Sequence, residues 1–177
     1  MKTILKLIVA LIYLSASQAL AQEQTNPEDQ LKKLGIDLPT PSKPVANYVK
    51  WVRTGNLIFL SGHGPCNLDG IPKGQLGDEV SIEQGYNAAR QAGICLIATL
   101  KDAVGGDLTK VVRIVRVFGL VSSTEDFYDQ PKVMNGCSDL MVEVFGDKGK
   151  HVRAAVGTNV LPFNIPVEIE MVVEVKD

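Results

Sequence analysis

From residue 48 onward the chain switches between two hydrophobic periods. In some stretches apolar residues recur at every second position, and in others at every third or fourth, which predicts strands and helices respectively. Residues 48–52 and 57–61 flank Thr54-Gly55-Asn56 and read as a hairpin. Residues 62–77 are rich in Gly and Pro, with a turn at Asp69-Gly70, and read as a loop in which a short strand is expected near 74–76. Ser81 with Glu83 and Gln84 behind it signals a helix start. Ile82, Tyr86, Ala89, Gly93, Leu96 and Leu100 then form one apolar stripe, ended by Gly105-Gly106. Residues 111–121 are a β-branched strand. Residues 127–145 form a second helix, striped by Val133, Cys137, Leu140 and Val144 and stopped at Gly146. Strands at 153–158 and 167–175 complete the order β-β-(β)-α-β-α-β-β.

That order predicts an α+β domain, a mixed sheet with two helices packed on one face. Two helices cannot hide all of Val112, Ile114, Val156, Val167 and Ile169, so surplus apolar strand surface is expected, and with it self-association. Residues 22–43 are polar and punctuated by Pro27, Pro39 and Pro41, with one helical turn expected at 27–34, and read as an arm lying on the domain at 44–177.

The first 21 residues change the picture of where the chain works. Lys2 and Lys6 precede an apolar core at 7–14, and Ala19-Leu20-Ala21 gives a small-x-small cleavage pattern, so a signal peptide with mature protein starting at Gln22 is expected. The apolar run is too short for a comfortable membrane span, and no stable membrane anchor is expected. Localisation is therefore expected to be exported, periplasmic or secreted. Cleavage removes two lysines and no acids from a chain that already carries 18 basic and 20 acidic side chains. With no basic stripe to release counterions from a polyanion, no nucleic-acid partner is expected. The three cysteines, Cys66, Cys95 and Cys137, have no CxxC or metal-ligand spacing, and three free thiols without a metal site are expected.

Candidate chemistry concentrates near the C-terminus. Arg153 and Glu168 sit on strand-like segments fifteen positions apart, read as neighbours joined by a Pro-containing turn. Period-2 alternation puts Glu168 and Glu170 on one face, opposite Val167 and Ile169. A guanidinium suits bidentate grip of a carboxylate, and a glutamate can orient water and move protons. Which of the two glutamates acts is left open by the pattern.

Asn47-Tyr48-Val49, the block from Thr54 to Gly62, Asp126-Phe127, Asn135-Gly136-Cys137-Ser138-Asp139-Leu140, His151-Val152-Arg153 and Leu161-Pro162 with Val167-Glu168-Ile169-Glu170 together resemble the reactive-intermediate deaminase (Rid, or YjgF-like) family, in a longer branch. The resemblance covers nearly the whole mature chain. It implies a chorismate-mutase-like α+β fold and a homotrimer with ligand clefts between subunits. It also implies hydrolysis of small 2-imino or 2-enamino acids to 2-keto acids and ammonia, with no cofactor. Arg153 would bind the substrate carboxylate and Glu168 would hold the attacking water as the catalytic group. Tyr48, Asn135 and His63 would line the cleft. Two positions depart from the family pattern: Ala154-Ala155 stands where imine deaminases carry Ser-Cys, and His63 follows Ser61-Gly62 where Gln is common. A non-catalytic module that binds a small carboxylate is the alternative. His151 is expected to face water.

Overall fold

A computed structural model describes residues 26–44 and 46–177. The expected signal peptide and its cleavage point lie outside the described residues. Five strands form one sheet: β1 (Trp51–Thr54), β2 (Leu57–His63), β3 (Val111–Ser122), β4 (Val152–Thr158) and β5 (Val167–Val175). Their spatial order is β1-β2-β5-β3-β4, antiparallel except for the parallel pair β3–β4. The helices are α1 (Pro27–Lys33), α2 (Ile82–Ala103) and α3 (Gln130–Phe145).

Local chemistry sets the element ends. Ser81 caps α2 through a reciprocal pair: its Oγ accepts from Gln84 N at 3.2 Å, and Gln84 Oε1 accepts from Ser81 N at 2.9 Å. Gly105 and Gly106, both at positive φ, turn the chain out after α2, and Gly146 does the same after α3. Residues 74–76 form no strand; Leu76 makes only isolated bridges to Val80 and Ser123. The predicted 48–52 strand begins instead at Trp51, which leaves Tyr48 in the loop ahead of it.

The apolar stripes of α2 and α3 meet one sheet face. Ile58, Ile114, Val117, Val121, Val167, Ile169 and Val173 are fully buried there, beneath Leu96, Leu100, Val133 and Leu140. This corrects part of the expected surplus surface, because Ile114, Val167 and Ile169 belong to the core. Ile114 parts from Val112 through two register shifts in β3, between Val111 and Arg113 and between Ile114 and Arg116, while Val167 and Ile169 alternate regularly along β5 onto the helix-covered face. Val112 and Val156 do lie open, as do Phe59 and Val152. Leu31 seats α1 against the core, and Glu28 accepts from Leu108 N at 3.0 Å.

The two long helices approach closely at Gly136. A Cβ there would overlap the Tyr86 carbonyl oxygen of α2. Arg90–Glu143 at 2.6 Å and Tyr86 Oη donating to Asp139 Oδ2 at 3.0 Å flank this crossing. The obstacle to a side chain is backbone, which cannot rotate away. Gly136→Ala is therefore expected to lower the unfolding free energy by about 1–3 kcal/mol, measured by chemical denaturation.

Candidate functional site

Arg153 sits on β4, the edge strand, in register with Val117 of β3. Val117 is buried under the helices, so Arg153 shares the helix face and reaches α3. Its Nη1 donates to Asn135 Oδ1 and to Ser138 Oγ, each at 2.9 Å, and its Nη2 to the Pro131 carbonyl at 3.4 Å. All three acceptors are neutral. No carboxylate pairs with this guanidinium among the described residues.

Glu168 lies at the start of β5, in register with Leu120, on the face turned away from the helices. Its carboxylate occupies the space a side chain at Gly62 would need: a Cβ there would overlap Glu168 Oε1. A side chain at 62 would displace the Glu168 carboxylate from this position. The carboxyl is half-buried, and its pKa is raised, by burial first and by the Glu170 charge second. It opens into a cavity of about 450 Å³ that Tyr48, Lys50, His63 and Phe163 also line. Phe163 and Asn164 both adopt positive φ, a conformation that side-chain-bearing residues rarely hold, and Phe163 is left 79% exposed at the mouth.

His63 is not a rim residue. It is buried, with Nδ1 2.6 Å from the Ser61 carbonyl and Nε2 2.8 Å from Thr99 Oγ1. A carbonyl only accepts, so the proton rests on Nδ1 and Thr99 donates to Nε2. Both ring nitrogens are engaged, and burial lowers the pKa. His151 likewise does not simply face water: its Nδ1 lies 2.7 Å from the Gly149 carbonyl and its Nε2 3.1 Å from Ser138 Oγ, and its pKa is lowered by burial, then by the Arg153 charge.

The five candidate residues therefore fall into two groups. Arg153 and Asn135 bond to each other on the helix face near one sheet edge. Tyr48, His63 and Glu168 share the cavity on the other side of β3. The expectation that the Arg153 and Glu168 strands are neighbours is corrected here, since β3 lies between β4 and β5 and the two side chains occupy opposite faces. The turn at 159–166 passes over the end of β3, with Ser122 N donating to the Pro166 carbonyl and Ser123 N to the Thr158 carbonyl.

The three-thiol expectation is also corrected. Cys66 and Cys95 form a disulfide with Cα atoms 5.8 Å apart, tying the loop after β2 to α2 at the cavity wall. The loop carrying Cys66 folds back over the α2 turn that holds Cys95. Cys137 is free and fully buried, and burial pushes its thiol up to about 12. Among the described residues, no group of three or more His, Cys, Asp or Glu side chains converges to hold a metal ion. Gly62, Thr99, Ser138 and the disulfide were missed as parts of the site. Gly62 was read as the first residue of a loop, whereas β2 runs through it to His63.

A mixed sheet with its helices on one face, an arginine on an edge strand and a carboxylate packed on a glycine define an α+β protein of the YjgF type. Residues 28–175 match the family described as YjgF/chorismate mutase-like, a description that also carries an endoribonuclease label, and the chain belongs to that family. It is 39% identical to Protein TCP17 of Trypanosoma cruzi over 83% of this chain and 92% of that protein. It is also similar to the crystal structure of Atu1372, of unknown function, from Agrobacterium tumefaciens, at 39% identity and TM-score 0.79, covering 85% of this chain and 92% of the other. A solved Shewanella oneidensis structure is 32% identical with TM-score 0.80, covering 85% and 99%.

The two histidines make acid stability a test of this geometry. Their folded pKa values lie below the ordinary 6.5, so the folded chain binds protons less readily than the unfolded one. Their contribution is complete above 6.5 and is lost as pH falls through the folded values. Glu168, raised from 4.5, acts in the opposite sense and gives up stability as pH rises through its folded value. The denaturation midpoint is expected to drop between about pH 7.5 and about pH 5.5, and His63→Gln should flatten that drop.

Proposed function

We propose that the protein hydrolyses small 2-imino or 2-enamino acids to 2-keto acids and ammonia, in a cleft shared between chains of a homotrimer. The observation that carries this reading is the neutral setting of Arg153. A guanidinium held by an amide, a hydroxyl and a carbonyl is oriented without being neutralised, so its charge remains for a substrate carboxylate. Glu168 takes a proton from water as the oxygen adds to the C=N carbon, and the nitrogen receives a proton. The resulting carbinolamine then expels ammonia and leaves the ketone. Its raised pKa makes Glu168 a stronger base than an exposed carboxylate. No residue in this scheme needs a cofactor.

The placement of Arg153 and Glu168 on opposite faces is what calls for a second chain. The exposed apolar strand residues Phe59, Val112, Val152 and Val156 supply surface for that association. The Cys66–Cys95 disulfide supports export, since such bonds persist in oxidising compartments. Against the endoribonuclease label stands the charge of the chain, 18 basic against 20 acidic side chains, which favours no polyanion.

One observation favours the alternative, a carboxylate-binding module without turnover. His63 has both nitrogens engaged and Ala155 has no thiol, so Glu168 would handle every proton itself.

Four measurements test the proposal. An amino-acid oxidase generating imine in the presence of semicarbazide should give faster keto-acid formation with the mature protein; binding of 2-ketobutyrate without turnover would select the module. Arg153→Ala should weaken binding of 2-ketobutyrate by about 2–3 kcal/mol, while Glu168→Gln should keep most of the binding and lose turnover. Light scattering should give three chains per particle. When the two variants are refolded together at equal amounts, about a quarter of the shared sites regain both side chains in a ring of three. Activity should return to that extent; a mixture as inactive as its components would rule out the shared cleft.

A further inference from the structure

We propose that Ser138 and His151 are a positioning pair for Arg153, with His151 fixing the Ser138 hydroxyl so that its oxygen receives the guanidinium. The proposal rests on the reading of Arg153 as a carboxylate anchor and assigns two residues that neither touch a substrate nor carry the chemistry.

The direction of each hydrogen bond follows from its far end. The Gly149 carbonyl can only accept, so His151 carries its proton on Nδ1, 2.7 Å away. Its Nε2 is then a lone pair, and Ser138 Oγ, 3.1 Å from it, must donate. The Ser138 oxygen is thereby left as an acceptor, which Arg153 Nη1 uses at 2.9 Å. Burial and the Arg153 charge both favour neutral His151, the form this chain of bonds requires. A serine inside a helix otherwise tends to turn its hydroxyl back toward the carbonyl four residues earlier. The acceptor on His151 draws it outward instead.

The anchor of the chain is rigid. A Cβ at Gly149 would overlap the Met141 carbonyl oxygen, so the turn at 146–149 lies directly on the α3 backbone. His151 and Arg153 are two residues apart beside β4, and Ser138 stands between them on α3. Asn135, one turn before Ser138, takes the second Nη1 hydrogen. With Nη1 fully occupied, no hydrogen bond to another described residue is formed by Nε, and an edge of the guanidinium is left for an incoming carboxylate.

Two readouts on the full mature chain test this. By calorimetry with 2-ketobutyrate, Ser138→Ala and His151→Leu should each weaken binding about tenfold. His151→Gln should restore it to within about twofold, because the amide oxygen accepts the Ser138 proton. A Gln variant as weak as the Leu variant, or a Leu variant that binds like wild type, would overturn the pair. The second readout needs no ligand: the Arg153 Nε resonance, identified by its loss in Arg153→Lys, should broaden in His151→Leu and remain sharp in His151→Gln. A resonance indifferent to residue 151 overturns the proposal. If wild type fails to bind 2-ketobutyrate while the resonance still follows residue 151, the anchor reading fails and the positioning pair stands.

Discussion

Strand β5 is paired on both sides, with β2 and with β3, and it buries every second residue from Val167 to Val175. This constraint governs the rest of the molecule. A central strand with one face sealed by helices has its register fixed, since a slip of one residue would turn Glu168 and Glu170 into the core. The carboxylates are therefore held on the opposite face by the burial of Val167, Ile169 and Met171. Gly62 on β2 then leaves the room that Glu168 fills. The Glu168 carboxyl is placed here by hydrophobic burial on the far side of the same strand, with no salt bridge to it among the described residues.

The arginine is placed by different means. Strand β4 is an edge, bonded only to β3, and its burial is incomplete. Packing alone would leave a long side chain there mobile. Hydrogen bonds from α3 supply the order instead, and the position of α3 depends on backbone contacts at Gly136 and Gly149 where no side chain intervenes. Glycines thus act at both half-sites through what they lack. The arginine's partners are neutral, whereas exposed cations elsewhere on the chain, such as Arg53 with Asp177 and Lys132 with Asp129, sit beside carboxylates.

Much of the fold was legible in the sequence, because both helices and the last two strands carry strong periodicity and clear end signals. The capping box at Ser81 and the stops at Gly105 and Gly146 fell where expected. The bulges in β3 were not legible; they depend on pairing with β5, which is non-local. The order of strands was missed for the same reason. Consecutive strands in sequence suggested neighbours, yet β5 crosses β3 to pair on its far side. The candidate residues were readable as types, but their grouping was not. Ser138 and His151 gave no pattern of their own, since their roles arise only where a helix and a strand end meet. The disulfide was obscured because its two cysteines stand 29 positions apart and meet only once the loop after β2 folds back onto α2.

The choice between Glu168 and Glu170 is open at the level of sequence, and the difference in their surroundings is why the proposed role goes to Glu168. Both lie on the same face, two positions apart, and each repels the other's charge. Glu170 is exposed and faces Phe118 across the β3 register, where Arg116 stacks 5.0 Å from the Phe118 ring. That neighbourhood is open to solvent and close to a cation. Glu168 is half-buried against Gly62 in a cavity, where lost hydration and the Glu170 charge together disfavour its ionised form. Acid–base work is served by a carboxyl whose proton affinity is raised, as burial raises that of Glu168. In the proposed reaction Glu170 would act through its charge, which raises the proton affinity of its neighbour while the Glu170 side chain stays in solvent.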